Sequence, residues 1–301
     1  MSATRAALAK ALAWLCTSVR VTDSGSPDCG AILHGVDGRT KKPLDVYTEI
    51  TGYAVSLFQF LARTLGDASL LTMAKEAGQF LMRIQADESA YPQPSGIAGP
   101  ARLYAFDTAV CVVGMARLLR ATGDERYLRS AIAAGEWLLG MQHPDGSFSA
   151  MALRGEGIED PGGFFGDGSC IHAKNAIAFL ELHAITGREQ FREAAARACR
   201  YTLTLQDTDG AFWDRPNSAL CVHSRALLCV RGAPLCRATC WVSRRMWLPP
   251  VEESGGWRTL SGPTGLGSRT ARPPGRCGER SNRFSGRGPA TRRHRRRGFS
   301  A

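Results

Sequence analysis

Residues 106–148 read FDTAVCVVGMARLLRATGDERYLRSAIAAGEWLLGMQHPDGSF. The stretch holds two helical runs of different kinds, joined at one glycine. In the first run Val110, Val112, Val113, Met115, Leu118 and Leu119 cover most of the circumference. A helix apolar on nearly every side must be buried on nearly every side. The second run is one-sided: Tyr127, Leu128, Ile132, Trp137, Leu138 and Met141 alternate with Glu125, Arg126, Arg129 and Glu136. One inner and one outer helix follow, with Gly123 supplying the left-handed residue between them and Asp124 placed to cap the second. The Asp-Gly after Gln142 reads as the turn that closes the pair.

Working outward, the same pattern recurs twice. Residues 50–85 (ITGYAVSLFQFLARTLGDASLLTMAKEAGQFLMRIQ) precede it, and residues 170–212 (CIHAKNAIAFLELHAITGREQFREAAARACRYTLTLQDTDGAF) follow it. The linking glycines are Gly66, Gly123 and Gly187, and the terminal glutamines are Gln85, Gln142 and Gln206. The separation from glycine to glutamine is identical in all three copies, and the third copy stands farther from the second than the second does from the first. Three copies in one register are a structural repeat. Seven helical runs are expected, at 3–18, 49–65, 68–85, 108–122, 125–142, 171–186 and 189–206.

Paired inner and outer helices, two of the pairs ending in Q-x-x-D-G-[SA]-F, resemble the (α/α) toroids. That group includes six-hairpin glycosidases, lyases and sugar epimerases, and also terpenoid cyclases and prenyltransferase β-subunits. Tyr47-Thr48-Glu49-Ile50-Thr51-Gly52-Tyr53 and His172-Ala173-Lys174-Asn175 resemble a bacterial group tied to polysaccharide metabolism. The resemblance spans roughly residues 25–226. It implies an all-α fold, an incomplete toroid of helical hairpins, because a six-hairpin ring needs more chain than this. It also implies a carbohydrate-active protein that acts on or binds an oligo- or polysaccharide. A non-catalytic scaffold and a terpenoid cyclase or prenyltransferase-like enzyme are the alternatives, since a fold alone does not determine chemistry.

Charge divides the 301-residue chain. The formal net charge is +11, yet residues 1–226 sum to −2 and residues 227–301 to +13. The second segment has 16 Arg and no Lys, and ends near the run Arg292-Arg293-His294-Arg295-Arg296-Arg297. Helical periodicity stops after Ala226, giving a toroid domain at 1–226 and an Arg/Gly/Pro-rich segment, expected to be disordered, at 227–301. One reading of that segment is a basic arm for nucleic acid or another polyanion. The preferred one is an out-of-frame translation of a GC-rich gene. Shifting Leu227–Ala238 by one base permits Tyr-Tyr-Ala-Phe-Glu-Gly-Leu-Leu-Tyr-Ala-Gly, which would continue a fourth inner helix to its glycine. Nucleic acid is therefore expected as a partner only if the arm is genuine. No run approaches the roughly 18–20 apolar residues of a membrane span, and no signal-peptide order is present, so a cytoplasmic protein without a membrane partner is expected. Cys16, Cys29, Cys111, Cys170 and Cys199 lack CxxC spacing and read as small core residues.

The register also locates candidate chemistry. Thr51, Thr108 and His172 hold one register position ahead of their glycines, near the heads of the inner helices. Polar side chains at the head of apolar helices are costly unless paired or facing a cavity. Glu49, Asp107, His172 and His223 are the catalytic candidates; Tyr53, Lys174, Asn175 and Arg225 are the substrate-binding candidates. Glu49 and Asp107 suit an acid/base pair, and His172 or His223 a proton shuttle. Both acids also stand where first-turn acids and caps belong. His34, His143 and His183 read as loop or surface residues. No cofactor is expected. A zinc set resembling that of prenyltransferases would use Asp167, Cys170 and His223, but Asp167-Gly-Ser-Cys170 is one residue longer than the Asp-x-Cys pair of that group.

Overall fold

The computed structural model describes residues 3–87, 89–93, 99–162, 166–208 and 210–216. His223, Arg225, the domain boundary at 226 and the basic segment lie outside them. Seven helices account for most of this region: α1 (Ala3–Thr17), α2 (Thr48–Leu65), α3 (Ala68–Ile84), α4 (Ala105–Thr122), α5 (Glu125–Gly140), α6 (Asn175–Thr186) and α7 (Glu189–Thr204). The expected runs and the observed helices agree to within a few residues. The sixth run differs most, because Cys170–Lys174 forms a 3-10 turn that leads into α6.

Each pair is joined as its sequence dictates. Gly66, Gly123 and Gly187 are all left-handed, with φ of 68°, 71° and 67°. Asp67 accepts from the Ser69 N–H at 2.9 Å and Asp124 from the Arg126 N–H at 3.0 Å, capping α3 and α5. Helices α2, α4 and α6 pack side by side as an inner layer, and α3, α5 and α7 cover them outside. Burial follows the two kinds of run. In α4 a continuous stretch from Ala105 to Val112 is buried, whereas α5 buries one face through Tyr127, Ala131, Ala134 and Leu138. Helices α2 and α4 approach closely at Gly52, where a Cβ would lie 3.0 Å from Cys111 Sγ and 3.1 Å from its Cα. Cys111, Cys170 and Cys199 are buried, as small core residues should be, whereas Cys16 and Cys29 are half-buried.

The repeated glutamine ties one hairpin to the next. Gln85 Nε2 donates to the Ser130 carbonyl of α5 at 3.0 Å, and Gln142 Nε2 donates to the Ala194 carbonyl of α7 at 2.9 Å. Each also donates to the carbonyl four residues on in its own closing turn. Residues 20–32 repeat this turn ahead of the first recognised copy. Arg20 pairs with Ile32 as Gln142 pairs with Phe148, and Arg20 forms an ion pair with Glu76 of α3. Gly30 abuts the Glu76 carbonyl as Gly146 abuts the Arg197 carbonyl of α7; a Cβ would stand 2.3 Å and 2.2 Å away. Helix α1 therefore precedes a turn of the kind that follows the outer helices, a role that its sequence does not advertise.

The linkers add a small antiparallel sheet of three strands, β1 (Arg102–Tyr104), β2 (Met151–Leu153) and β3 (Gly157–Glu159), in the order β1-β2-β3. Three-residue strands are too short to show alternation, which is why the sequence reads as helix and loop only. The β2–β3 hairpin lies between α5 and α6, and it accounts for the wider spacing between the second and third copies.

Candidate active site at the heads of the inner helices

The heads of α2 and α4 meet the 3-10 turn before α6 around a cavity of about 200 Å³. Tyr47, Glu49, Tyr104, Phe106, Asp107, Ala150, Pro161, Gly162 and His172 line it. Glu49 and Asp107 are in the first turns of α2 and α4, but neither caps its helix. The N-cap residues are Tyr47 and Tyr104, and neither side chain makes a capping bond. The two acids are not equivalent in the repeat either: Glu49 stands one position farther from its glycine than Asp107 does.

Their environments differ in a way that chemistry can use. Asp107 is only 5% exposed, and its Oδ2 has no hydrogen-bond partner. Burial, and then the neighbouring Glu49 charge, push its carboxyl well above the usual range. Glu49 is half-buried and is raised by burial, while Lys174, Tyr53 and His34 pull the other way. His172 is buried with both ring nitrogens unpartnered, 5.8 Å from the Phe148 ring between centroids. Burial lowers it to about 4, and the opposing effects of the Gly166 backbone and Asp214 are smaller. The site thus combines a carboxyl that burial holds well above its ordinary range, a second acid raised by burial and opposed by Lys174, and an imidazole kept neutral down to about pH 4.

Tyr53 and Lys174 join beside the cavity. They share one register position ahead of the glycines of the first and third copies. Lys174 Nζ donates to the Tyr53 hydroxyl at 3.2 Å and lies 5.3 Å from the Phe106 ring centroid. The cation thus lies over two rings and near Glu49. Asn175 is fully buried at the head of α6, with neither amide atom hydrogen-bonded, and does not line the cavity. Asp167 accepts from the Ala150 N–H at 2.7 Å, anchoring the loop that lines one wall. Cys170 sits in a separate apolar cluster with Leu205. Among the described residues no three His, Cys, Asp or Glu side chains gather as a metal site.

Several lining residues escaped the sequence reading. Tyr47 and Tyr104 hold equivalent register positions ahead of Gly66 and Gly123, so the register contained the signal. His34 is an exposed loop residue, as expected, yet its ring lies tilted against that of Tyr47, with centroids 4.8 Å apart. Pro161 and Gly162 arrive from the long linker and have no equivalents in the other copies.

The sequence matches no protein-family model and no curated protein. Among solved structures, a sugar epimerase from a ruminal bacterium shares 14% identity over 78% of this chain and 69% of its own, with a TM-score of 0.54. A family 76 glycoside hydrolase (mannosidase) from Bacteroides thetaiotaomicron shares 16% identity over 64% of this chain and 54% of its own, with a TM-score of 0.50. The fold is that of the (α/α) toroids. This toroid chain spans about half the length of several structures it matches, 47% of an α-mannanase from Bacteroides thetaiotaomicron among them. Its cavity lies where the inner helices of the toroid begin. No helix among the described residues is long and apolar enough to cross a membrane.

Proposed function

We propose that this toroid chain carries part of a carbohydrate-active site, with Asp107 as general acid and Glu49 as general base on an oligosaccharide. The observation that carries the reading is the pair of carboxylates in one cavity, one of them buried and unpaired. Glycosidic cleavage generally uses two carboxyl groups held in opposite protonation states. Tyr47, Tyr104 and Phe106 supply flat apolar walls of the kind that orient a ligand beside a few polar groups. A hydrocarbon substrate would also suit three rings, but it has no use for Glu49 beside Lys174 and Tyr53. A sugar epimerase and a mannosidase share this fold, which supports a sugar as substrate.

His172 favours a second reading within the same class. A buried imidazole that stays neutral to about pH 4 can accept a proton from a sugar carbon, as epimerisation or β-elimination requires. The cytoplasm, as its compartment, and His223 and Arg225, as further cavity residues from the next inner helix, remain part of the proposal.

The test is turnover of a panel of neutral and acidic oligosaccharides, followed by product mass and anomer analysis. It should be run on the 301-residue chain and on a version with the frame restored after Ala226. Cleavage, or epimer formation, that Asp107→Asn and Glu49→Gln each abolish supports the proposal. Turnover unchanged by both variants sinks it, as does the absence of binding and turnover in both proteins.

A further inference from the structure

We propose that the opposite end of the inner helices carries a second ligand site, which takes a phosphate or sulfate monoester. It is independent of the acid/base cavity: Glu49 and Arg63 are separated along α2 by about 21 Å, at roughly 1.5 Å of rise per residue.

The second site is a cavity of about 550 Å³ between α2 and α4, lined by Ser56, Gln59, Phe60, Arg63, Arg117 and Arg120, with no carboxylate in its wall. Arg117 and Arg120 are both held from behind by Glu181 of α6, Arg117 Nε at 3.6 Å and Arg120 in a closer pair. Both side chains nevertheless remain 45% exposed. Arg63 is exposed and forms no ion pair among the described residues. Three guanidinium groups against one carboxylate leave a local excess of two positive charges.

The repeat register separates this arrangement from ordinary helix-end chemistry. Arg63 and Arg120 each stand three residues before their glycine, in the last turn, where one cation per helix complements the macrodipole. Arg117 stands six residues before Gly123, a turn deeper, so the dipole does not explain it. Its equivalents are Phe60 in the first copy and Glu181 in the third. One register position thus supplies an apolar wall, a cation and the anchor that orients that cation. Gln59 is also fixed, its Nε2 donating to the Val55 carbonyl at 3.1 Å and the Gly114 carbonyl at 3.4 Å. Guanidinium groups held in place match the paired oxygens of a phosphate or sulfate, which a mobile ammonium does not. Phe60, 54% exposed, offers its ring to the remainder of the ligand.

The experiment is calorimetric titration and thermal melting of the full chain with inorganic phosphate, inorganic sulfate, glucose 6-phosphate and glucosamine 6-sulfate, at constant ionic strength. The same titrations are run on Arg63→Gln/Arg117→Gln and Arg63→Lys/Arg117→Lys. All three proteins keep every arginine of residues 227–301, so a difference between them reports the cavity. The expected result is saturable binding of one ester class with a rise in Tm. Affinity should fall at least tenfold in the glutamine protein and several-fold in the lysine protein, which keeps the charge but not the fork. The phosphate and sulfate arms decide which ester the site takes. No binding by the wild-type chain, or equal binding by all folded proteins, would overturn the proposal. If the glutamine protein fails to fold, the lysine protein decides by the same criterion.

Discussion

At the scale of single residues, Asp107 and His172 make opposite demands on pH. Asp107 has its folded pKa raised, so its contribution to stability is complete below its ordinary value of 3.8 and is lost as pH rises through the folded value. Asp107→Asn should therefore unfold at higher urea than the wild type at pH 8, by about 1–3 kcal/mol, and the gap should close towards pH 4. The same variant should lose about 10²–10⁴-fold in turnover if Asp107 is the general acid. A less stable Asp107→Asn at pH 8 would show that the acid is satisfied after all. His172 has its folded pKa lowered from 6.5 to about 4. Its contribution is complete above 6.5 and disappears as pH falls from 6.5 to 4. His172→Phe, beside Phe148, should remove up to about 3 kcal/mol of that acid sensitivity, measured as the slope of unfolding free energy against pH. An unchanged slope would place the sensitivity elsewhere.

At the scale of elements, the closing turn after each outer helix carries the contact between repeats. Gln142 donates to the Ala194 carbonyl and accepts from Arg197 Nη2 at 2.9 Å, so one side chain makes two bonds to α7. Gln142→Ala leaves a carbonyl unpaired and should cost about 1–3 kcal/mol in denaturant unfolding; a cost near zero would mean that the interface holds without it. The fourth residue after each glutamine has positive φ: Ser89 at 73°, Gly146 at 96° and Gly210 at 88°. Only the first copy places a side chain there, where the left-handed conformation is strained. Ser89→Gly should gain about 0.5–1 kcal/mol, read as a higher Tm, whereas a lower Tm would show that Ser89 contributes more through its contacts than it loses in strain.

At the scale of the whole molecule, the third copy makes only part of the repeat's interactions among the described residues. Gln206 Nε2 donates to the Gly210 carbonyl of its turn at 3.1 Å, as its counterparts do. Those counterparts also reach an outer helix of the following copy. On the other side, α2 leaves Leu57 and Leu65 exposed, and α1 leaves Leu8 and Trp14 exposed. Apolar surface of this kind is what packing against further hairpins covers. Restoring the frame after Ala226 should therefore raise the unfolding midpoint and solubility together, and the 301-residue chain should melt at low temperature with weak cooperativity. A cooperative, high-temperature transition of the 301-residue chain would contradict this. Intact-mass analysis of the native product decides between the frames.

The sequence alone determined the repeat, because helical periodicity, a glycine with positive φ and a capping aspartate are local properties that a copy states for itself. The register then pointed to Glu49, Asp107 and His172, and these line one cavity. Only the tertiary structure decided what the register could not carry. It put Tyr53 and Lys174, far apart in the chain, within hydrogen-bond distance, and brought Pro161 and Gly162 in from a linker without periodicity. It showed that residues 20–32 repeat the turn that follows an outer helix although Arg20 stands where glutamine is expected. It also separated the two acids: a carboxyl side chain carries the same letter wherever it lies, and tertiary packing buried Asp107 more deeply while it set Glu49 near Lys174, which opposes the effect of burial there.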